Sequence, residues 1–524
     1  MSLTDQQRLY IQKNYKKLSL RNLAKELRCS RPEIEKYILT IAQHDANQGR
    51  FIPRTPVLFL ALFIGLITFL TYSNSLGYSF VWDDDFQIVK NPLIKDLSLN
   101  GIINIFKLPF GIGNDHEVTS FHFRPIQLLS YTVFDHFIWR LNPMGYHLTN
   151  ILLQAIAALL LFFLLLRILG DKQIVFWVCA FFAVHPVQIA AVTYISGRAE
   201  SLAVIFALIS FYLFYKSQRE SSSIRFVYLF FSTFSFFLSL MTKEVMIMLP
   251  FLLVGYMKLF GKEKNYRIKW TDFLSYAVAV AIYLLVRFRT FGQLGEGSSG
   301  GLPVADRVLA SFMAIAYYVR LLFFPYHLHM SYQLPQPQFS DPLVIAGLLT
   351  TLVLLWGVWL SRHSRVALFG WLWFWLFLIP VLNLFVLLNA PLAEHWLYNA
   401  SIGAFLVIVS FLLGNSNTGF FLKKFAEPLL AFSLICFAMT TFHANTMWKD
   451  EITFFENTVK YTHQDPDVYI NLGIAYGEKG LLDKAEESFK KALEIKPGYD
   501  HAIYNLKAVE QQKLTGKSHE TYNR

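Results

Sequence analysis

The chain has 524 residues, of which 54% are hydrophobic and only 16% charged, with 50 Phe and a formal net charge of +11. Soluble proteins carry roughly 25% charged residues. Apolar runs of about 20 residues recur along most of this chain, which argues against a water-soluble globule and predicts an all-α polytopic membrane protein. The positive charge lies mostly in short loops, where it reports orientation rather than affinity for nucleic acid, and three cysteines do not make a disulfide framework.

Taken in chain order, the first 50 residues are polar. They contain no cleavable leader pattern, so the first span is expected to be an uncleaved anchor. Leu23-Ala24-x-x-Leu27, followed by Ser30, Ile34 and Ile38, has helix-turn-helix spacing. Glu33 and Glu35 on its second helix would repel phosphates, so residues 1–50 read as a small cytoplasmic helical module and not as a DNA reader.

Residues 51–444 read as a membrane domain of about eleven spans, near 56–73, 147–167, 173–193, 199–215, 225–241, 245–260, 271–288, 342–360, 366–386, 399–414 and 426–442. Up to residue 54 there are eleven Lys/Arg against five Asp/Glu. Later basic clusters at Arg167/Lys172, Lys216/Arg219/Arg225, Lys262 to Lys269, Arg362/Arg365 and Lys423/Lys424 fall in every second connection. This alternation places the N-terminus in the cytoplasm, and an odd span count places the C-terminus outside. The stretch 307–325 is apolar but would break the alternation, so it is expected to be bent or re-entrant. Residues 74–146 form the largest outer loop, with an amphipathic stretch from Ile126 to Leu141 suited to the interface. Residues 289–306 read as a mobile glycine-rich loop.

Residues 445–524 read as a second soluble module. From Pro466 to Tyr499 the sequence Tyr469-x-x-Leu472-Gly473-x-x-Tyr476, then Gly480, Ala485-x-x-x-Phe489, Ala492 and Pro497, follows the 34-residue tetratricopeptide pattern. One repeat cannot bury a core alone, so 448–465 and 500–514 are expected to add helices. The module is either a structural cap or a surface for a protein or peptide acceptor, with Tyr469, Asn471, Tyr476 and Asn505 as its candidate contacts.

Ionisable groups at membrane depth are costly and usually face a cavity or a partner. With this orientation, candidates gather on the outer side: Asp83, Asp84 and Asp85 in the first loop, Arg124, His185, Arg198 and Glu200, Lys243 and Glu244, and Glu394, His395 and Tyr398. Each has a plainer alternative as an ion pair, a helix cap or a solvated turn. Adjacent acids suit either a general base or a divalent cation held by Asp83 and Asp84.

Asp83-Asp84-x-x-x-Ile88-x-x-Asn91, Phe123-Arg124-Pro125, Pro143-x-Gly145-Tyr146-His147-Leu148-Thr149-Asn150, His185-Pro186-Val187, Gly197-Arg198-Ala199-Glu200, Lys243-Glu244, Phe324-Pro325 and Ala393-Glu394 through Leu397-Tyr398 occur in this order. Together with Ser401-Ile402-Gly403, these blocks resemble the transmembrane and tetratricopeptide-repeat protein O-mannosyltransferases and their bacterial relatives, within the C-class glycosyltransferases. The resemblance runs from about residue 74 to 510. His395 stands where that family usually has Arg and Gln154 where His is common, and the repeat array is shorter. The resemblance implies transfer of a sugar from a polyprenyl-phosphate co-substrate to a protein hydroxyl. It further implies an acid/base role for Asp83 or Asp84. Basic outer groups would then stabilise the departing phosphate, and a single displacement would invert the anomeric carbon. The expected location is a bacterial inner membrane facing the periplasm rather than the endoplasmic reticulum. Two rivals stay open at this point: the same transfer to a glycan or lipid, and a non-enzymatic scaffold or transporter that uses the repeat as a hook.

Overall fold

The computed structural model describes residues 54–515 apart from 109–110, 113–117, 121–122, 221–222, 262–268, 292–302, 386–387, 389 and 415–419, together with parts of 7–37 and Tyr522. The basic residues at 262–267, most of the glycine-rich loop and the side chains of Lys423 and Lys424 lie outside that description. The chain divides into two units, Met1–Leu62 and Phe63–Arg524. In the first, helix α1 (Leu20–Leu27) packs Leu23 with Ile11 and Ile34, and Ile38 lies outside the described residues.

Helix α2 (Arg54–Tyr72) is followed by a folded loop holding α3 (Leu99–Lys107), a two-stranded hairpin of β1 (Gly111–Ile112) and β2 (Val118–Ser120), and α4 (Pro125–Ser130). Then come α5 (Pro143–Leu169), α6 (Lys172–Val184), α7 (Ile189–Val192), α8 (Ala199–Ser217), α9 (Ser223–Leu240), α10 (Leu249–Phe260) and α11 (Thr271–Phe291). They are followed by α12 (Val304–Phe323), α13 (Pro342–Leu360), α14 (Arg365–Leu378), α15 (Leu397–Gly414) and α16 (Phe420–Ala444). The C-terminal module holds α17 (Glu451–Val459), α18 (Pro466–Glu478), α19 (Leu482–Ile495) and α20 (Asp500–Thr515).

Apart from the short hairpin the described chain is helical, as expected. Among the described residues eight helices are long and apolar enough to cross a bilayer, or nine if the bent pair Lys172–Val184 and Pro186–Val192 is one span. The expected eleven is not reached. Helices α10 and α14 have only 12 and 14 residues, because 3-10 turns at Glu244–Met248 and Ile379–Val381 take up the rest of those apolar runs. The stretch expected to be bent is the continuous helix α12.

Local chemistry sets the helix ends. Asn142 caps α5 through Met144 N with Pro143 in the first turn, and Gly170 closes it at φ +73, a conformation that suits glycine. Pro186 cannot continue α6, so the chain bends by 53° there. His185 fills the break: its Nδ1 accepts from Val187 N, its Nε2 meets Leu322 O at 3.0 Å, and its ring packs on Phe405 and Phe437. The expected substrate contact at His185 is therefore corrected to a cap buried among helices.

Span segments Ile195–Ser217 and Glu394–Gly414 are 72% and 67% buried, against 11% for Pro342–His363, so α8 and α15 lie at the centre and α13 at the rim. Small residues allow the closest approach. A Cβ on Gly403 would sit 2.3 Å from Phe374 N of α14.

The long loop after α2 is a folded cap. Ile88, Leu93, Ile94, Ile105, Leu128, Tyr131, Tyr146 and Ile195 share one apolar cluster. Beside it, Phe134, Phe137 and Ile138 are exposed, a face suited to the membrane interface.

Arg198 ties this cap to α5. It pairs with Asp135, donates from Nε to Asn150 Oδ1 at 2.6 Å and from Nη2 to Tyr146 O at 3.2 Å, and lies over the Tyr131 ring. Fully buried and saturated, it is a fold staple rather than the expected substrate contact. Removing one member of a buried pair strands the other charge and costs about 3–5 kcal/mol. Arg198→Met should therefore lower the thermal midpoint in detergent sharply, and adding Asp135→Leu should recover part of the loss. Equal midpoints for wild type and the single variant would contradict this role.

Candidate functional site

A cavity of about 360 Å³ opens where the first loop, the turn before α8, the turn before α10, α11 and the segment before α15 meet. Asp83, Arg124, Glu200, Lys243, Glu244, Arg287 and His395 line it, with Trp82, Gln87, Tyr194, Tyr283 and Trp396. Val245, Ile247, Leu284, Pro380, Val381 and Leu388 form its apolar side. Six of the expected site residues thus share one chamber.

The three aspartates separate by role. Asp84 is almost fully buried: its Oδ1 accepts from Ser196 N at 2.9 Å and Ser196 Oγ at 2.5 Å, and its Oδ2 from Val81 N at 3.1 Å. It fastens the first loop to the turn Ile195–Arg198 and does not line the cavity. Asp85 pairs with Lys90 at 2.6 Å, away from the chamber. Asp83 faces the chamber and accepts from Tyr194 Oη at 2.8 Å and Gln87 Nε2 at 3.2 Å. Of the three candidate aspartates Asp83, Asp84 and Asp85, only Asp83 lines the cavity. Of the two residues expected to hold a cation, Asp83 lines the cavity while Asp84 is turned towards Ser196 and Val81. Among the described residues no three His, Cys, Asp or Glu groups gather as metal ligands.

The charges on the far wall pair across elements. Lys243 binds Glu200 of α8, not its neighbour Glu244. Glu244 meets Arg124 at 3.4 Å, a long contact for a charged pair. Arg287 reaches the chamber from α11, with Nη1 3.4 Å from Tyr283 Oη. The sequence reading passed over Arg287, although an arginine inside an apolar helix is itself a signal.

Other expected contacts lie elsewhere. Glu394 is buried and accepts from His329 N at 2.8 Å and Tyr332 Oη at 2.6 Å, while its neighbours Ala393 and His395 line the chamber. Tyr398 is buried and donates to Gln154. In the C-terminal module Tyr476 is buried with its hydroxyl on Glu456 at 2.6 Å, and Asn505 is fully buried. Neither is available to an acceptor. Tyr469 and Asn471 are half-buried.

A tetratricopeptide-repeat family model matches residues 466–499. Curated relatives match far more of the chain. A Caenorhabditis elegans protein O-mannosyl-transferase is 24% identical over 83% of this chain and 62% of its own length. Protein O-mannosyl-transferase TMTC3 of Homo sapiens is 24% identical over 88% of this chain and 54% of its own length, and TMTC1 of Homo sapiens 25% over 86% and 56%. Homologues named protein O-mannosyl-transferase thus cover most of this chain. The resemblance carried by the motifs is shown at that level, and the chain spans about half to three fifths of those relatives' lengths. No solved structure matches the chain.

Burial pushes the Asp84 carboxyl from its ordinary 3.8 up to about 7, against the hydrogen bonds from Ser196 and Val81 that favour its ionised form. Because the folded value is the higher one, the stability it contributes is full below about pH 4 and lost as pH rises through about 7. Asp84→Asn does not titrate and cannot make all three contacts. Its midpoint deficit relative to wild type should be largest near pH 4 and shrink by about pH 8. A deficit independent of pH would contradict the buried titration.

Proposed function

We propose that this protein is an integral-membrane glycosyltransferase that moves a hexose from a polyprenyl-phosphate carrier to a Ser or Thr hydroxyl of a protein. The observation that carries the reading is the composition of the chamber: Asp83 on one wall, Arg124, Lys243 and Arg287 with the paired Glu200 and Glu244 on another, and an apolar side, all within a single cavity. A lipid-linked sugar has the matching parts. Its phosphate would lie against Arg124, Lys243 and Arg287, its first isoprene units along Val245, Ile247, Leu284 and Leu388, and its sugar beside Asp83, Trp82 and Trp396. The relatives' name, protein O-mannosyl-transferase, supports mannose and a protein acceptor.

In the proposed step the acceptor oxygen attacks the anomeric carbon from the face opposite the phosphate. The new C–O bond forms as the C–O bond to phosphate breaks, the electron pair leaves on the phosphate, and the acceptor proton passes to Asp83. One displacement inverts the anomeric centre. The cations stabilise charge that grows on the leaving phosphate. Arg124 meets Glu244 at 3.4 Å and Lys243 is paired with Glu200, so both cations are held at the chamber wall. His395 adds a further donor at the rim.

The basic cytoplasmic loops support an orientation with the N-terminus inside and the chamber and the C-terminal module outside. A bacterial inner membrane with the chamber on the periplasmic side is the setting we favour. Tyr469 and Asn471 are the residues we assign to acceptor contact.

The test uses purified full-length protein with polyprenyl-phosphate mannose and a Ser/Thr-rich peptide. Asp83→Asn should lower transfer by at least about 100-fold with the thermal midpoint unchanged, and the wild-type product should be the inverted anomer. Full transfer by Asp83→Asn would end this reading.

A further inference from the structure

Trp82, the residue before Asp83, sits at φ +58, a strained left-handed conformation that bulky residues avoid. Something must hold it there. Its ring stacks on Tyr194 at 5.7 Å and on Phe454 of α17 at 5.8 Å. Trp448, nearly fully buried, closes the set: it stacks on Tyr194 at 4.8 Å and lies 4.7 Å from Phe454. Tyr194 then donates to Asp83 Oδ2 at 2.8 Å. Four rings therefore link the root of the C-terminal module to the carboxylate, through its neighbour in sequence and through its hydrogen-bond donor.

Three other contacts fix the same root. Asn445 donates to Thr71 O at 3.0 Å and accepts from Thr193 Oγ1 at 2.7 Å. Ser79 N donates to Lys449 O at 3.0 Å. On the other side Asn457 donates to Leu328 O at 3.1 Å and Thr462 to Ser331 O at 2.7 Å, which holds the loop whose Met330 lines the chamber.

We propose that Trp448 and Phe454 are positioning residues for Asp83, so that the C-terminal module completes the reaction chamber instead of only presenting acceptors to it. The inference rests on the glycosyl-transfer reading above. It separates two jobs within residues 445–524. The stretch Asn445 to Phe454 sets the geometry of the carboxylate, while α18 and α19 carry the surface for acceptors. Removing the whole module would abolish both jobs and so could not tell them apart.

The experiment uses the full-length protein in nanodiscs, with polyprenyl-phosphate mannose and a Ser/Thr-rich peptide, and follows kcat and KM for both substrates. A displacement of about 1 Å at a catalytic group costs roughly 100-fold, so Phe454→Ala should lower kcat by about that factor. KM for donor and peptide should stay within about twofold, because Phe454 and Trp448 do not line the chamber. Phe454→Tyr, which keeps the stack, should restore most of the rate. Trp448→Phe should behave like Phe454→Tyr, which keeps the test open if Trp448→Ala does not fold. An unchanged kcat in Phe454→Ala, or a loss seen only as a higher KM for the peptide, would overturn the positioning role. Asp83→Asn is measured alongside. If it stays active, the transfer reading itself fails; if it is inactive while Phe454→Ala is fully active, only the present inference fails.

Discussion

Asp84 accepts three hydrogen bonds in a place where almost no water reaches it, two of them from Ser196 and one from Val81. A buried carboxylate is tolerated only when its lone pairs are occupied, so this contact leaves little freedom in how the first loop meets the turn before α8. The residues on either side inherit their places from it. Asp83 is turned into the chamber, Trp82 is held at a positive φ between two rings, and Ser196 and Gly197 become part of the cavity wall. A Cβ on Gly197 would lie 2.0 Å from Ala190 O, so the opposing turn has as little slack as the loop.

The same rule sorts the other charges. Arg198 and Asp135 satisfy each other away from the cavity and hold the loop cap on α5. Lys243 and Glu200 satisfy each other at the cavity wall, and Arg124 and Glu244 make a longer contact at its edge. What separates a fold staple from a site group is therefore not the residue type but whether its side chain reaches the cavity. Arg198 has four polar partners and an aromatic face. Asp83 accepts from a tyrosine and a glutamine and lines the cavity.

Much of the architecture was legible because it follows from two simple patterns. Long apolar runs marked the helices, and the spacing from Tyr469 to Pro497 marked the repeat. The span count was less legible, since a run such as 245–260 does not reveal where a 3-10 turn ends and an α-helix begins. Within the site, sequence placed the right turns but not the right atoms. Asp83, Asp84 and Asp85 are equivalent as letters, and only Ser196, more than a hundred residues later, makes one a staple and leaves another facing the cavity. Arg198 stands two residues from Glu200 in the sequence, whereas its partner Asp135 lies 63 positions back, in a stretch expected only to be interfacial. Tyr476 and Asn505 illustrate the same limit in the C-terminal module, where a helical residue faces inward or outward according to packing that one repeat does not define.

The central claim is that one chamber holds both the phosphate of a lipid-linked sugar and the carboxylate that takes the acceptor proton. The most direct measurement is a cryo-electron microscopy structure of the full chain with a non-cleavable polyprenyl-phosphonate mannose. The account predicts the phosphonate against Arg124, Lys243 and Arg287, the isoprene chain along Val245 and Leu284, and the anomeric carbon on the Asp83 side. A headgroup bound outside this cavity, or an apolar tail leaving by a different wall, would contradict it.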